Sequence, residues 1–505
     1  MARIFLISFI LVPLLVYGQQ SKSISSIAEV GFLNNDAIFT KSNDRSPVYP
    51  HLFSSPKEPI GFSSNWFSEK KQKNGNSFRF FPVMNGLAST SSNQQSRNSL
   101  FTGAGIGFTT HLSKRFYARA IITGNYFYQH STSNRSNSIQ STGFLKDGNP
   151  NEYFALQPRI RLSYTPFSFL NIQTGIDNHF IGQGNRSMLL GDYGSPYPFV
   201  ELRTHFWKLE LLNVYQFFKE NEFSSQNRKF ASTHFLNFKA TNRFQIGIFE
   251  SVVFAPKDTL LNRGYDVTYL NPLLFYRPSE YSLGSQDRLL IGLNTSYQFD
   301  FATIYGQLAI DDFVLNELVN RTRWWANKYS GQIGIKGTQS TEKARIQWLA
   351  ELNFARPFMY SHLSTSTNYG NQGFQLAHPL GSNFAEVYAE VGIHYDSRLS
   401  LIGRFFFAQQ GGADGNDTLS YGSDVYQSYT NRPFEYGYKI GGNGKENRFH
   451  FSAEIRYTLI EKMALDVFVR PGIEVSSSST MNNQTQFFVF GGIRTNLWNN
   501  RSFTY

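Results

Sequence analysis

Apolar and polar residues alternate one by one through many short segments of this chain. In residues 449–459 every second residue is apolar or aromatic, and the residues between them are His450, Ser452, Glu454, Arg456 and Thr458. The same rhythm recurs in residues 156–164, 345–354, 385–395 and 463–470. A period of two places successive side chains on opposite faces of a β-strand. It predicts strands with one polar face, but both a soluble sandwich and a membrane barrel show this pattern.

The connections between the strands distinguish the two folds. About 18 candidate strands of roughly ten residues can be counted, and strands of this length cross a bilayer when tilted. Short and long connections alternate along the chain. The short ones are residues 111–114, 165–166, 207–208, 241–242, 300, 339–342, 396–397 and 460–462, and the long ones are 91–98, 131–151, 182–196, 219–228, 256–287, 314–327, 356–382, 411–447 and 476–483. This alternation predicts an all-β fold, an up-and-down antiparallel transmembrane barrel with tight periplasmic turns and long extracellular loops.

The N-terminal residues show no such rhythm. Arg3, the apolar run 4–16 and the small-residue site before Gln19 predict a signal peptide over residues 1–18. Residues 19–76 are rich in Ser, Asn, Lys and Pro, and we interpret them as a periplasmic extension or a partial plug. The barrel is predicted over residues 77–505. Export through a signal peptide and a barrel together predict location in the outer membrane of a Gram-negative cell.

Composition supports a wall that is apolar on one side only. Tyr and Phe are abundant, at 28 and 49 residues, while charged residues make up 16%, against about a quarter in ordinary soluble domains. Aromatic residues favour strands and concentrate at membrane interfaces. The chain has no Cys, which excludes disulfides and a lipid-modified cysteine anchor. The net charge of +11 favours lipopolysaccharide or an anionic polysaccharide as partner, or indicates only a solvated basic surface.

The chain lacks the motifs of the common catalytic and cofactor sites. Its ten His residues are scattered, without HExxH or CxxC spacing, so no metal site is predicted. Gly182 to Gly184 lacks the third glycine of a dinucleotide fingerprint and is interpreted as a turn. Asp414 to Asp417 lacks the spaced acidic positions of a calcium loop. We therefore predict no enzyme, no catalytic residues, no cofactor and no nucleic-acid partner.

Three long loops carry the best candidates for ligand binding. Residues 182–198, 269–284 and 356–381 contain apolar residues, such as Leu189 and Leu190, that are expected to fold over or into the barrel. Aromatic rings beside Arg, Asn and His are suited to sugars, because the rings stack on apolar sugar faces while polar groups bind hydroxyls. The candidate polysaccharide-binding residues are Arg186, Trp324, Trp325, Arg356, Tyr360, His362, Tyr369 and His378. The alternatives are a lid that packs for stability and, for the Trp pair, an interfacial belt anchor.

The same loops carry a family resemblance. In these segments the chain resembles the capsule assembly Wzi family of outer-membrane proteins, which includes the gliding-motility protein RemB of Bacteroidota. The segments are residues 182–187 with Leu189 and Leu190, residues 195–198, residues 271–277 with Glu280, residues 305–307 with 311–313, and residues 356–381. The resemblance covers roughly residues 153–400. It implies an 18-stranded barrel that attaches or assembles surface polysaccharide, or serves surface adhesion and gliding. The Wzi type has a periplasmic helical bundle, which residues 19–76 do not suggest.

Two functions from different classes remain open at this point. The first is a barrel that binds or anchors surface polysaccharide (capsule) or supports adhesion and motility, with motility or export proteins as possible partners. The second is a channel for small solutes, with a lumen lined by Arg159, Arg161, Arg345, Glu351, Glu386, Glu390, Glu454, Arg456, Asp466 and Arg470. A hydrolase is a weaker third option, which requires polar side chains that converge in an open cleft.

Overall fold

The fold is seen in a computed structural model of the chain. It describes residues 23–24, 46–49, 52–53, 77–92, 98–113, 115–129, 144–147, 152–220, 228–257, 264–272, 287–395, 398–412, 419–478 and 483–495. The predicted signal peptide, most of the predicted extension and most of the loop 269–284 lie outside the described residues, as do Asp414 to Asp417. All statements below concern the described residues.

Eighteen antiparallel strands form a closed barrel. In chain order they are β1 Ser77–Ser91, β2 Asn98–Ser113, β3 Phe116–Gln129, β4 Glu152–Phe167, β5 Leu170–Asp177, β6 Tyr197–Phe206, β7 Leu209–Lys219, β8 Arg228–Phe238, β9 Phe244–Phe254, β10 Arg288–Gln298, β11 Thr303–Asp312, β12 Lys328–Ser340, β13 Ala344–Ala355, β14 Phe384–Tyr395, β15 Leu399–Gly411, β16 Lys445–Ile460, β17 Leu465–Ser478 and β18 Gln484–Thr495. A further short strand, Phe144–Asp147, pairs with β4 beside β3.

Each strand pairs with its neighbours in sequence, and β18 closes the barrel on β1. Phe488 pairs with Ser91 and Arg494 with Asn85 at this closure. The eight short turns lie at one rim, together with the start of β1 and the end of β18, and the long connections lie at the other rim. The predicted number of strands and the predicted alternation of turns and loops are both confirmed. By the usual arrangement of such barrels, the long-loop rim is the extracellular one.

The two-residue period separates the lumen from the outside. On β14, Glu386, Tyr388 and Glu390 are buried inside the barrel, while Val387 and Val391 are exposed on the outer surface. The outer surface also presents Ile333 and Leu352, with 57% and 53% of their area exposed. Large apolar side chains on an outer barrel face are typical of contact with lipid. The soluble sandwich is therefore excluded, because the sheet closes on itself rather than facing a second sheet.

Helices are few and short in the described part of the chain. Within the described ranges there is one α-helix, α1, which spans Leu315–Val319 in the β11 to β12 connection. Short 3-10 turns occur at Val267–Leu270, Thr365–Thr367, Tyr429–Asn431 and Glu461–Met463. None of the helices in these described ranges has the length and apolar character to span a membrane.

The core of the protein lies inside the barrel, where loops pack against the wall. Met188, Leu189 and Leu190, from the β5 to β6 connection, are fully buried against strand residues such as Phe235 and Phe249. Burying several large apolar side chains here contributes roughly 1.5–3 kcal/mol each. The predicted folding of long loops into the lumen is confirmed for this connection and for residues 356–383.

A short piece of the predicted N-terminal extension also lies in the lumen. Val48–Tyr49 pairs in antiparallel fashion with Phe180–Ile181, and the Gly182 amide donates to the Pro47 carbonyl at 2.9 Å. The Ser46 hydroxyl donates to Glu210 Oε1 at 2.8 Å. These four residues occupy the lumen, and the plug interpretation of residues 19–76 as a whole stays a prediction.

Candidate functional site

The β5 to β6 connection crosses the lumen to the opposite wall. We call residues 178–196 the crossing loop. It leaves the wall at β5, and its middle part forms hydrogen bonds with side chains on β11, β12 and β13, which lie six to eight strands further along the 18-stranded barrel. The Lys336 ammonium donates to the Gln183 carbonyl at 2.6 Å, and the Asn185 and Met188 amides donate to Glu351 Oε1 at 2.6 Å and Gln307 Oε1 at 2.7 Å.

Glycine allows the crossing loop to approach the far wall closely. A Cβ atom at Gly184 would collide with the Glu351 carboxylate and the Tyr305 ring. Gly182 has a φ of +151°, a conformation that L side chains rarely adopt. The glycine pair lies in a bent segment of the crossing loop, whose backbone packs against the wall inside the barrel.

The loop between β13 and β14 packs on the crossing loop from above. Its Tyr360 hydroxyl donates to the Met188 carbonyl at 2.7 Å, and its Tyr369 hydroxyl donates to the Leu189 carbonyl at 2.8 Å. Both tyrosines are buried, with 0% and 1% of their area exposed. Arg288 of β10 donates to the Tyr360 carbonyl and pairs with Asp311 at 2.6 Å. In this position the two rings hold the loops together and do not face the surface.

A buried charged cluster ties both loops to β14. Glu386 accepts from His378 Nε2 at 2.8 Å and from Asn353 Nδ2 at 2.9 Å, and it pairs with Arg186 at 3.5 Å. Because the Leu380 amide donates to His378 Nδ1 at 3.1 Å, the ring proton is placed on Nε2. The Arg186 guanidinium also lies 4.7 Å from the centre of the Tyr388 ring. Burial lowers the pKa of His378 despite the adjacent Glu386.

Removal of the Glu386 carboxylate is expected to destabilise the loops strongly. Glu386→Ala leaves Arg186 and His378 buried with their shared acceptor missing, which typically costs about 3 kcal/mol. We expect the free energy of unfolding in urea, measured on the barrel in phospholipid vesicles, to fall by about that amount. Glu386→Gln keeps an acceptor and should lose less. Equal stability of Glu386→Ala and the unmodified chain would contradict this account of the cluster.

A second buried cluster lies at the base of the crossing loop. Glu201 of β6 pairs with Arg161 at 3.1 Å, with Arg203 at 2.8 Å and with His179 at 3.1 Å. Arg161 also pairs with Asp177 at 2.7 Å.

The lumen-lining residues predicted from the alternation all lie on the inward faces of their strands. They are Arg159, Arg161, Arg345, Glu351, Glu386, Glu390, Glu454, Arg456, Asp466 and Arg470.

At the long-loop rim of the barrel, four of the predicted site residues lie close to three residues that were not predicted. We call this the outer cluster. The centre of the Trp325 ring lies 4.8 Å from the centre of the Tyr429 ring and 4.0 Å from Cζ of Arg432. Lys328 Nζ lies 4.5 Å from the Tyr429 ring centre, and the His362 ring is 5.7 Å away from it. Arg356 donates to the Trp324 carbonyl at 3.1 Å. The outer cluster consists of Trp324, Trp325, Lys328, Arg356, His362, Tyr429 and Arg432.

The eight candidate residues therefore divide between two places. Trp324, Trp325, Arg356 and His362 belong to the outer cluster, whereas Arg186, Tyr360, Tyr369 and His378 lie within the packed loops. For the second group the packing supports the alternative of a stabilising lid. Tyr429 and Arg432 were not predicted, although the same combination of an aromatic ring and a nearby Arg in the long loop 411–447 could have indicated them.

The charges of the outer cluster are largely compensated. Lys328 pairs with Asp312 at 2.8 Å, Arg432 pairs with Glu435 at 2.5 Å, and Trp325 Nε1 donates to Glu435 Oε2 at 2.8 Å. The cluster thus offers partly buried aromatic rings, and hydrogen-bond donors and acceptors are fixed beside them. This chemistry suits the apolar faces and hydroxyl groups of sugars.

His362 gives the β13 to β14 loop a dependence on pH. Its Nδ1 lies 2.7 Å from Thr367 Oγ1. Burial is the main cause that lowers the pKa of His362 from 6.5 to about 3. The positive charges of Arg288 and Lys328 also lower this pKa, and the negative charge of Asp312 acts in the opposite direction. The unfolded loop therefore binds more protons between pH 6.5 and 3, so its stability falls as the pH falls through this window.

We expect the loop around His362 to open to protease faster at pH 4.5 than at pH 7.5. Mass spectrometry of limited digests with an acid-tolerant protease would measure this. His362→Gln keeps a polar side chain without the titration, and should show a smaller difference between the two pH values. The same acid sensitivity in both proteins would contradict the assignment to His362.

No catalytic arrangement is evident in the described residues. The converging polar groups around Glu386 and Glu201 are buried beneath loops rather than open to a cleft. Among the described side chains no group of three or more His, Asp or Glu is placed to hold a metal ion.

Comparison with known proteins identifies the fold. No protein-family model matches the chain, and no curated protein sequence matches it. A similar solved structure is Wzi of Escherichia coli, described as an outer-membrane protein involved in group 1 capsule assembly and a carbohydrate-binding β-barrel. It is 12% identical, with a TM-score of 0.52 over 82% of this chain and 83% of Wzi. OccAB1 of Acinetobacter baumannii is 9% identical, with a TM-score of 0.44 over 86% of this chain and 99% of OccAB1. OprD of Pseudomonas aeruginosa is also 9% identical, with a TM-score of 0.42 over 85% of this chain and 98% of OprD. At these identities the likeness shows the fold, an outer-membrane β-barrel.

Proposed function

We propose that this chain is an outer-membrane barrel that binds surface polysaccharide through the outer cluster, and thereby anchors or helps to assemble a capsule or supports surface adhesion and gliding. The observation that carries the proposal is the pair of partly buried aromatic rings, Trp325 and Tyr429, which are held at the long-loop rim between compensated charges. Rings fixed in this way lose little conformational entropy when a sugar stacks on them.

The crossing loop supports a binding function in a second way. It spans the lumen and is fixed to the far wall by Gln307, Glu351 and Lys336. A lumen filled by a packed loop gives the outer loops a rigid base.

We also propose that the chain belongs with the Wzi and RemB group, as the sequence resemblance suggests. Its proposed partners are lipopolysaccharide, surface polysaccharide and motility or export proteins. The structurally similar Wzi is described as involved in capsule assembly and as a carbohydrate-binding barrel, which is consistent with this proposal.

A solute channel is the second candidate, because the wall away from the crossing loop carries a ladder of charges. Arg404 pairs with Glu390 at 3.3 Å and with Glu454 at 3.4 Å, and Arg494 pairs with Glu454 at 2.5 Å. Inward charges of both signs along β14 to β18 could guide a polar solute.

One experiment on the purified full-length chain separates the two functions. Binding is measured on a glycan array that includes polysaccharide from the surface of the producing cells, and conductance is measured in planar bilayers. Saturable glycan binding with little conductance supports the proposal. A steady large conductance without glycan binding would reject it in favour of the channel.

A further inference from the structure

The connection between β11 and β12 exposes an apolar surface that the outer cluster does not use. Leu315 and Val319 of helix α1 expose 61% and 69% of their area. Their apolar neighbours are exposed as well. We call this surface the apolar foot, and it consists of Phe313, Val314, Leu315, Leu318 and Val319. Aliphatic side chains on a loop in water would be unfavourable, so a surface of this kind indicates a partner.

The foot is held in place by the surrounding structure. The Val314 amide donates to Asn327 Oδ1 at 2.7 Å, and Asn327 Nδ2 donates to the Val314 carbonyl at 3.2 Å. The carboxylate of Glu317 accepts from the Thr322 hydroxyl at 2.6 Å, so the acidic group of α1 is engaged within the loop. The foot is therefore an apolar surface in a fixed position, and the carboxylate of Glu317 is hydrogen-bonded within the same loop.

The foot continues the outward, lipid-facing side of the barrel. The Phe313 ring lies 6.4 Å from the ring of Tyr329 on β12, which lies 6.3 Å from the ring of Phe354 on β13. Tyr329 and Phe354 alternate with the inward Ser330 and Asn353, so they point out of the barrel. This line of rings leads from the strands to the foot at the extracellular rim, where aromatic residues normally border lipid.

Two exposed arginines follow directly after the foot. Arg321 and Arg323 both have left-handed backbones, with φ of +53° and +58°, and both are exposed. Within residues 287–395 and 419–478 neither guanidinium forms an ion pair. The Tyr438 amide donates to the Arg323 carbonyl at 3.1 Å, which fixes the backbone beside the foot. Apolar side chains and free basic groups thus stand side by side at the rim.

We propose that residues 313–323 form a binding site for lipid A, the phosphorylated and acylated sugar of the outer leaflet. Its acyl chains would contact the apolar foot, and its phosphates would accept hydrogen bonds from Arg321 and Arg323, since Arg recognises phosphate with paired donors. Continuity with the lipid-facing rings favours a lipid over a protein as the occupant. A polysaccharide would leave the aliphatic foot uncovered.

Lipid binding by variants tests this site. The full-length chain in detergent is titrated with bisphosphorylated or dephosphorylated lipid A, and bound lipid is counted by native mass spectrometry. We expect the unmodified chain to bind the phosphorylated form about ten-fold more tightly, and Arg321→Ala/Arg323→Ala to lose that preference. Leu315→Ser/Val319→Ser should weaken both forms by a similar factor.

Controls separate this site from general charge effects and from the proposed function. Arg243→Ala/Lys343→Ala removes two exposed basic groups from the short turns at the opposite rim and should bind lipid A as the unmodified chain does. Retention of the phosphate preference by Arg321→Ala/Arg323→Ala would overturn the proposal, as would unchanged binding by Leu315→Ser/Val319→Ser. The lipid A site specifies the lipopolysaccharide partner named in the proposed function, and it rests on the proposed function to that extent. Glycan-array binding should be unaffected in all of these variants, so polysaccharide binding by the outer cluster and lipid A binding by the foot can fail separately.

Discussion

Replacement of residues 179–195 by a short Gly-Ser turn is expected to convert the barrel into an open pore. Asp177 and Tyr197 are register partners on adjacent strands, so a tight turn can join β5 to β6 without the crossing loop. The replacement removes Leu189, Leu190 and the contacts with Gln307 and Glu351 from the lumen. The loop of residues 356–383 then also loses the surface on which Tyr360 and Tyr369 pack. An 18-stranded barrel whose packed lumen has been opened in this way is expected to conduct as an aqueous channel.

We expect single-channel conductance in planar bilayers to rise by about ten-fold or more over that of the unmodified chain, because water replaces a packed core. Replacement of residues 316–322 on the outside of the rim serves as the control, and should leave the conductance unchanged. Gel mobility before and after heating checks that each barrel is folded. A correctly folded variant without increased conductance would show that the crossing loop is not the main barrier.

Removal of both rings of the outer cluster is expected to abolish most polysaccharide binding. Trp325→Ala/Tyr429→Ala deletes the two stacking surfaces while leaving the barrel wall intact. Buried aromatic contacts at binding sites commonly contribute at least about 1.4 kcal/mol each, so the combined loss should be about 100-fold in affinity. Surface plasmon resonance on immobilised surface polysaccharide would measure this loss.

Matched variants make that result specific. Trp207→Ala removes a Trp that is 76% exposed at the short-turn rim, so it should bind polysaccharide as the unmodified chain does. Tyr369→Phe removes one hydrogen bond inside the packed loops and should reduce stability without a comparable loss of affinity. Full polysaccharide binding by Trp325→Ala/Tyr429→Ala would remove the outer cluster as the site.

The barrel could be predicted from the sequence because its constraints are local. The alternation of residues 449–459 and 385–395 assigns each side chain to lumen or lipid without knowledge of any partner strand. Likewise, the difference between short turns and long loops is visible in the chain itself. The burial of Leu189 and Leu190 was also predictable, since apolar residues in a polar loop require a covering surface.

The assembly of the sites could not be read in the same way. Tyr360 and His362 are two residues apart, and in the sequence they look equally suited to a sugar, yet one is buried against Met188 and the other lies beside Tyr429. These outcomes depend on contacts between residues far apart in the chain, such as Trp325 with Arg432 and Asn185 with Glu351. A periodic pattern encodes which face a residue takes, whereas loop positions are decided by side chains that meet only after the barrel has closed.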